Sequence, residues 1–128
     1  MTQEDKELLW KDLSARLPYG VVCHYDTIVP MVGKVKSYDK LNAISKFDNK
    51  PCFQFEGNRD IFDFDNIKPY LFPLSSMTEE QKNAIDLIAS SSSMVLSDVV
   101  DFYNKYHFDY RGLIEKSLAI DATGLNIY

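Results

Sequence analysis

Three aspartates at short spacing, Asp60, Asp63 and Asp65, are the first residues of this sequence whose types suggest chemistry. Clustered carboxylates can bind calcium, and two of them can act as the general acid and the general base of a catalytic site. A calcium loop needs carboxylates at alternate positions, a central glycine and a distal glutamate, whereas apolar residues typical of a strand separate these three. The pattern therefore predicts the solvated face of a strand, and neither a metal site nor a catalytic site is expected here.

Cys23 and His24 form the second candidate, because a thiol beside an imidazole can act as a nucleophile with its base. Neighbouring residues on a strand point to opposite faces of the sheet, so these two side chains should diverge. Cys52 follows Cys23 by 29 positions, which is not the spacing of a CxxC metal or redox pair. We expect both thiols to be reduced and buried among apolar strand residues.

A third cluster lies near the end of the chain, where His107, Asp109, Tyr110 and Arg111 stand close together. The rings of Phe108 and Tyr110 are costly to leave in water, and an aspartate with an arginine commonly holds a turn together. We expect this turn to be docked on the body of the domain. A recognition patch for a partner is the alternative that the sequence leaves open.

Charge is distributed unevenly along the chain. The net charge of -5 and the isoelectric point near 4.9 argue against general binding of nucleic acid, which depends on neutralising phosphates. From position 30 to position 50, however, five lysines stand against two aspartates. This basic segment could bind nucleic acid on the face of a sheet, and its lysines are Lys34, Lys36, Lys40, Lys46 and Lys50.

Hydrophobic periodicity predicts the elements that must position these residues. Thr2 and Asp5 resemble a capping box, and leucines recur at helical spacing until Pro18, which predicts a helix over 3–16. Short apolar runs separated by turn residues then predict about five antiparallel strands, since no segment between them is long enough for a parallel crossover. The expected strands span 20–25, 27–38 with a bulge or kink at Pro30 and Gly33, 43–47, 52–56 and 60–64.

The second half of the chain is predicted to be mostly helical. Two prolines interrupt helical periodicity after the last strand, and Thr78 then supplies the cap of a new helix. The expected segments are an extended crossing at 66–76, a helix from 78 to about 89, a serine turn at 90–93, a helix at 97–106, a short helix near 113–118 and disorder beyond 121.

Together these elements predict an α+β fold with an N-terminal helix, a small antiparallel barrel-like sheet of about five strands, and two or three C-terminal helices. A single domain over residues 1–128 accounts for the length. The first residues are acidic and polar, unlike a secretory signal, and no apolar run approaches the roughly 20 residues of a membrane span. We therefore expect a cytoplasmic protein without a membrane partner.

Three segments of the chain resemble a family of small proteins from gut Bacteroidales genomes and their phages or mobile elements. The segments are 15–23 (ARLPYGVVC), 67–81 (IKPYLFPLSSMTEEQ) and 107–116 (HFDYRGLIEK). That family has no known activity, so the resemblance implies no catalytic residue and no cofactor. What it implies is an origin in a phage or another mobile element.

The function expected from the sequence is a non-enzymatic protein-binding or adaptor module without a cofactor. Small size and many aromatic residues favour it, and the sequence has no Gly-rich phosphate loop, zinc spacing or nucleophile elbow. The alternative is nucleic-acid binding through the Lys34 to Lys50 segment, and an enzyme is the third hypothesis. The residues expected to contribute to an interaction are Lys34, Lys36, Lys40, His107, Asp109, Tyr110 and Arg111.

Overall fold

The N-terminal helix α1 spans Gln3–Arg16 in a computed structural model that describes residues 1–90 and 96–128. Its first turn is closed by a capping box, in which the Asp5 N–H donates to the Thr2 hydroxyl at 3.1 Å and the Asp5 carboxylate accepts from the Thr2 N–H at 3.4 Å. A 3₁₀ turn that contains Pro18 ends the helix. The predicted helix is therefore confirmed.

Seven strands and two further helices follow in the described part of the chain. The strands are β1 (Val22–Val29), β2 (Gly33–Phe47), β3 (Lys50–Phe55), β4 (Asn58–Phe62), β5 (Ile67–Pro73), β6 (Phe108–Asp109) and β7 (Ile120–Asp121), and the helices are α2 (Glu79–Ser90) and α3 (Leu96–Lys105). The strands form a mixed sheet in the order β4-β3-β2-β1-β5-β6, with β7 also paired to β5. An α+β fold with an N-terminal helix and C-terminal helices is confirmed.

The sheet is open, so the expected barrel-like closure is wrong. Strand β5, formed by the segment expected to cross the sheet, pairs antiparallel with β1 through Cys23 and Pro69. The sheet then continues outward, because Phe72 and Tyr70 of β5 pair in parallel with β6 and β7. These two strands are two residues long and come from distant parts of the chain, so no local pattern predicted them.

The hairpin formed by β1 and β2 differs from the expected strands. Its turn lies at residues 30–32, where the sequence predicted only a bulge or kink within one strand. Strand β2 then runs on for 15 residues, and its register to β3 shifts between Leu41 and Ala43. One long bulged strand therefore includes both the second half of the strand predicted at 27–38 and the strand predicted at 43–47.

The hydrophobic core lies between α1 and one face of the sheet. Leu9 and Leu13 of α1 are fully buried and pack in one cluster with Cys23 and Phe53 of the sheet. Burial of an aliphatic or aromatic side chain of this size stabilises the fold by about 1.5–3 kcal/mol. Cys52 is also buried and both thiols are free, as predicted from the sequence.

The C-terminal helices agree with the sequence in part. At the start of α2 the Gln81 N–H donates to the Thr78 hydroxyl at 3.2 Å, which completes the expected cap. The serine turn predicted at 90–93 lies mostly outside the described residues. The short helix expected near 113–118 is wrong, because this segment forms hydrogen-bonded turns in which Ser117 adopts a positive φ of 60°.

The last residues are docked on the sheet, whereas disorder was expected beyond Asp121. Ala122 is buried, and the Tyr128 ring stacks on His107 with 3.7 Å between the ring centroids. The Tyr128 hydroxyl accepts from the Val22 N–H at 3.0 Å and donates to the Tyr70 carbonyl at 2.7 Å. One side chain thus joins the C-terminus to two adjacent strands.

Replacement of this hydroxyl tests how much the docked tail stabilises the domain. Tyr128→Phe keeps the ring but leaves the Val22 N–H and the Tyr70 carbonyl without this partner, so we expect a loss of about 1–3 kcal/mol in the free energy of unfolding. Urea unfolding measures it, with Tyr106→Phe as the control because the Tyr106 side chain is 40% exposed. Equal stability of the two variants would show that the tail contributes nothing through this contact.

Candidate interaction site

The hairpin of β1 and β2 extends beyond the rest of the sheet. Strand β1 pairs with β5 only through residues 23–25, and β2 pairs with β3 only from Leu41 onward. Among the described strands, residues 26–29 and 33–36 therefore pair only with each other. We call residues 26–36 the arm.

A strained turn forms the end of the arm. The Val32 N–H donates to the Val29 carbonyl at 3.1 Å, which closes a turn with Pro30 and Met31 at its centre. Met31 has a φ of 68°, in the left-handed region where glycine or asparagine is favoured. A non-glycine residue in this region costs on the order of 1–3 kcal/mol, and such strain is concentrated at functional sites.

The end of the arm is apolar and exposed. Ile28 is 85% exposed, Val32 is 72% exposed and Met31 is fully exposed. We call Ile28, Val29, Pro30, Met31 and Val32 the tip. Contiguous exposed apolar side chains mark interaction surfaces, and a convex tip on a two-stranded stem has the shape to enter a pocket. The sequence signal for this site is the apolar run at residues 28–32, from which the sequence predicts a bulge or kink and not a turn.

Three of the sequence-predicted lysines lie on one exposed face of this hairpin. Lys34, Lys36 and Lys40 alternate along β2 with Tyr38, which is 62% exposed, so their side chains share one side of the sheet. Lys68 of β5 joins them, because it pairs directly with His24, which in turn pairs with Tyr38. We call Lys34, Lys36, Tyr38, Lys40 and Lys68 the basic face.

One acidic residue, Asp26, lies within the basic face. Its carboxylate is 3.3 Å from the Lys34 ammonium and 3.4 Å from the His24 imidazole. Lys36 lies directly opposite Asp26 across the hairpin, and Lys40 and Lys68 lie further along the same face, so the four lysines outnumber this carboxylate. The face is therefore positively charged although the whole chain is acidic.

The remaining lysines of the basic segment, Lys46 and Lys50, lie elsewhere. They follow the register shift in β2 and line a groove beside α1. The lysines of the basic segment therefore lie on two different surfaces. The reason is the bulge in β2, which lies between Lys40 and Lys46.

The cluster at 107–111 is built into the fold. The Asp109 carboxylate accepts from the backbone N–H groups of Leu113 and Ile114, both at 2.9 Å, and Phe108 is buried. The Tyr110 hydroxyl donates to the Asn104 side chain at 3.1 Å and accepts from Arg111 at 2.9 Å. The turn is docked as expected, and its polar atoms are largely used within the domain.

A buried ion pair lies directly beneath this turn. Asp12 and Arg16 of α1 are both fully buried, with the Arg16 Nε 2.8 Å from an Asp12 oxygen. Arg16 also donates to the Phe108 carbonyl, and the Arg111 Nε lies 3.3 Å from the second Asp12 oxygen. Burial raises the pKa of Asp12 and the arginines oppose this effect. The arginines neutralise the buried carboxylate, and we interpret this ion pair as a contact that stabilises the fold.

The three aspartates and the Cys23–His24 pair, which the sequence also offered as chemical candidates, occupy positions that the fold explains. Asp60, Asp63 and Asp65 are exposed, and Asp63 caps a 3₁₀ turn by accepting from the Asp65 N–H at 3.2 Å. Cys23 is fully buried while His24 on the opposite face is partly exposed, as the strand pattern predicted. Within residues 1–90 and 96–128, no cluster of three or more histidine, cysteine or acidic side chains has the arrangement of a metal site.

Comparison with known proteins adds no identification. No protein-family model, curated protein or solved structure matches this chain. Among the described residues, no helix has both the length and the apolar character that a membrane crossing requires. The resemblance to the Bacteroidales family stays a prediction.

His107 gives the fold a pH dependence that can be measured. Burial, assisted by the positive charge of Arg16, lowers the pKa of His107 from 6.5 to about 4. The unfolded chain therefore takes up a proton before the folded protein does as the pH falls below 6.5. We expect stability to fall with decreasing pH between about 6.5 and 4, by up to about 1.4 kcal/mol per pH unit.

His107→Asn removes this titration and keeps a residue that tolerates the positive φ of 63° at this position. Urea unfolding at pH 7 and pH 5 should show that the wild type loses about 1–2 kcal/mol more than the variant. The variant retains every carboxyl group, so the difference reports on the imidazole alone. Equal losses in the two proteins would contradict the assignment.

Proposed function

We propose that this chain is a non-enzymatic protein-binding module that inserts the tip of its arm into an apolar pocket on a partner protein. The observation that carries the proposal is Met31, a fully exposed apolar side chain held at the end of a stem in a strained backbone conformation. Neither the exposure nor the strain benefits the isolated domain. Both are understandable if the side chain is buried when the partner binds.

We also propose a cytoplasmic location and an origin in a phage or mobile element. The location is supported by two buried thiols that remain free, as is typical of a reducing compartment. The origin rests on the resemblance of three segments to the Bacteroidales family. A partner in the bacterial host is consistent with both.

The tip can be altered without affecting the core. Ile28→Asp combined with Met31→Asp should change the free energy of unfolding by no more than about 0.5 kcal/mol, because both side chains are exposed. Burial of either side chain in a complex is worth about 1.5–3 kcal/mol, so the double variant should lose at least about tenfold in partner affinity. Quantitative affinity capture from host lysate, followed by titration of the captured protein, measures this loss.

Leu87→Asp is the matched control, since Leu87 is also apolar and 73% exposed but belongs to α2 and not to the arm. It should retain the partner that the wild type captures. Met31→Gly provides a second comparison, because glycine relieves the strain of a positive φ while removing the side chain. A partner that binds all four proteins equally would rule out the tip as the binding site.

Nucleic-acid binding on the basic face is a second candidate, favoured by a specific observation. Four lysines and the exposed ring of Tyr38 share one face of the sheet, a combination suited to phosphates and stacked bases. The net charge of -5 opposes this function at long range. A test on single-stranded DNA and RNA is therefore justified beside the protein-binding experiment.

The dependence of affinity on salt separates this second candidate from the first. If the basic face binds a single strand, Lys34→Glu with Lys36→Glu should reduce the slope of log affinity against log salt by about 1.4, which corresponds to two lost phosphate contacts. The fold should be unaffected because both side chains are exposed. An unchanged affinity and slope would exclude the basic face as a nucleic-acid site.

A further inference from the structure

A groove of about 650 Å³ lies between α1 and the turn that joins β2 to β3. Side chains of α1, including Trp10, line one side, and Lys46 and Lys50 line the other. The 3₁₀ turn around Phe64 forms the third side. The volume lies within the range of about 300–1,000 Å³ that is usual for small-molecule sites.

Trp10 is held in a fixed orientation at this groove. Its ring makes edge-to-face contacts with Phe53 and Phe64, with centroid distances of 6.2 and 6.4 Å, and both phenylalanines are buried in the core. On the groove side, the ammonium of Lys46 lies 5.2 Å from the centroid of the Trp10 ring. Since Lys46 is exposed, the indole face is covered there by the end of a solvated side chain.

The charged lining is mixed. None of its four lysines forms an ion pair within the described residues. Its carboxylates include Asp63, which also accepts a hydrogen bond from Asn66 at 2.6 Å. The lysines are Lys6, Lys11, Lys46 and Lys50, and the carboxylates are Glu7, Asp63 and Asp65.

We propose that this groove binds a nucleotide, with the base stacked on Trp10 and the phosphate held by the surrounding lysines. An aromatic ring fixed by the core is a stacking platform for a base, and unpaired ammonium groups are phosphate ligands. The carboxylates can accept hydrogen bonds from an exocyclic amino group of the base. The ring, the lysines and the carboxylates of the lining would therefore each contact a different part of one nucleotide. A plain anion or an apolar molecule could not contact all three.

Lys46 has two roles in this site. In the free protein its ammonium lies over the indole ring, and on binding it moves to the phosphate so that the base can take its place. Stacking of a base on an aromatic side chain is worth about five- to 150-fold in affinity. The base and the phosphate together therefore bind more tightly than the phosphate alone.

The same chemistry is offered by a free nucleotide and by one unit of a single strand. The groove is independent of the tip, so it does not rest on the proposed protein-binding function. It is also separate from the basic face, because Lys46 and Lys50 lie beyond the register shift in β2. Variants of the two surfaces can therefore serve as controls for each other.

Trp10 is the only tryptophan in the chain, so its fluorescence reports on this groove alone. Titration with ATP should quench the emission saturably, and inorganic triphosphate, which lacks a base, should bind at least about fivefold more weakly. Tighter binding of a short oligo(dA) than of AMP and ATP identifies a single strand as the source, and the reverse order identifies a free nucleotide. Absence of saturable quenching by ATP and oligo(dA) overturns the proposal.

Lys46→Gln with Lys50→Gln should weaken the affinity for the better of these ligands at least about tenfold, which corresponds to about 1.4 kcal/mol. Lys34→Gln with Lys36→Gln removes the same charge from the arm and should change the affinity by less than about twofold. Circular dichroism and thermal melts confirm that both variants fold, as expected for exposed lysines. If the arm variant loses as much affinity as the groove variant, or more, the proposed site is wrong.

Discussion

A buried ion pair between Asp12 and Arg16 connects the first helix to the last part of the chain. Arg16 is fully buried, and its guanidinium reaches both Asp12 and the Phe108 carbonyl of β6. Removing one partner of such a pair costs about 3–5 kcal/mol, because the other charge stays buried without compensation. Helix α1 and the turn at 107–111 are therefore positioned together. Together with the packing of Leu9 and Leu13 against Cys23 and Phe53, this contact holds α1 over one face of the open sheet.

The opposite face of the sheet is covered by the C-terminal tail, but only in part. Ala122 and Tyr128 protect the region around Val22 and Tyr70, where β1 and β5 are paired. The arm lies beyond this cover, because its strand segments 26–29 and 33–36 pair only with each other among the described strands and Ile28, Met31 and Val32 are exposed. The surfaces with functional potential are thus the tip and the basic face, which the tail leaves open, and the groove that α1 lines beside Trp10.

Residues close in sequence were predicted well because their interactions are local. The capping box of Thr2 and Asp5 is formed within one turn, and the divergence of Cys23 and His24 follows from the two-residue period of a strand. The docking of the 107–111 turn followed from the cost of exposing two aromatic rings. By contrast, the arm was missed because an apolar turn is uncommon, and a positive φ at Met31 cannot be inferred from the residue type.

By itself, the sequence determined the α+β class, helix α1, the caps of α1 and α2 and the burial of both cysteines, since periodicity and capping depend on neighbours a few positions apart. Only the tertiary structure decided that the sheet stays open, that Tyr128 joins two strands, and that the basic segment is divided between the arm and the groove. These features depend on pairing between residues far apart in the chain. A single register shift between Leu41 and Ala43 separates Lys40 from Lys46. The spacing of the lysines in the sequence does not predict this shift.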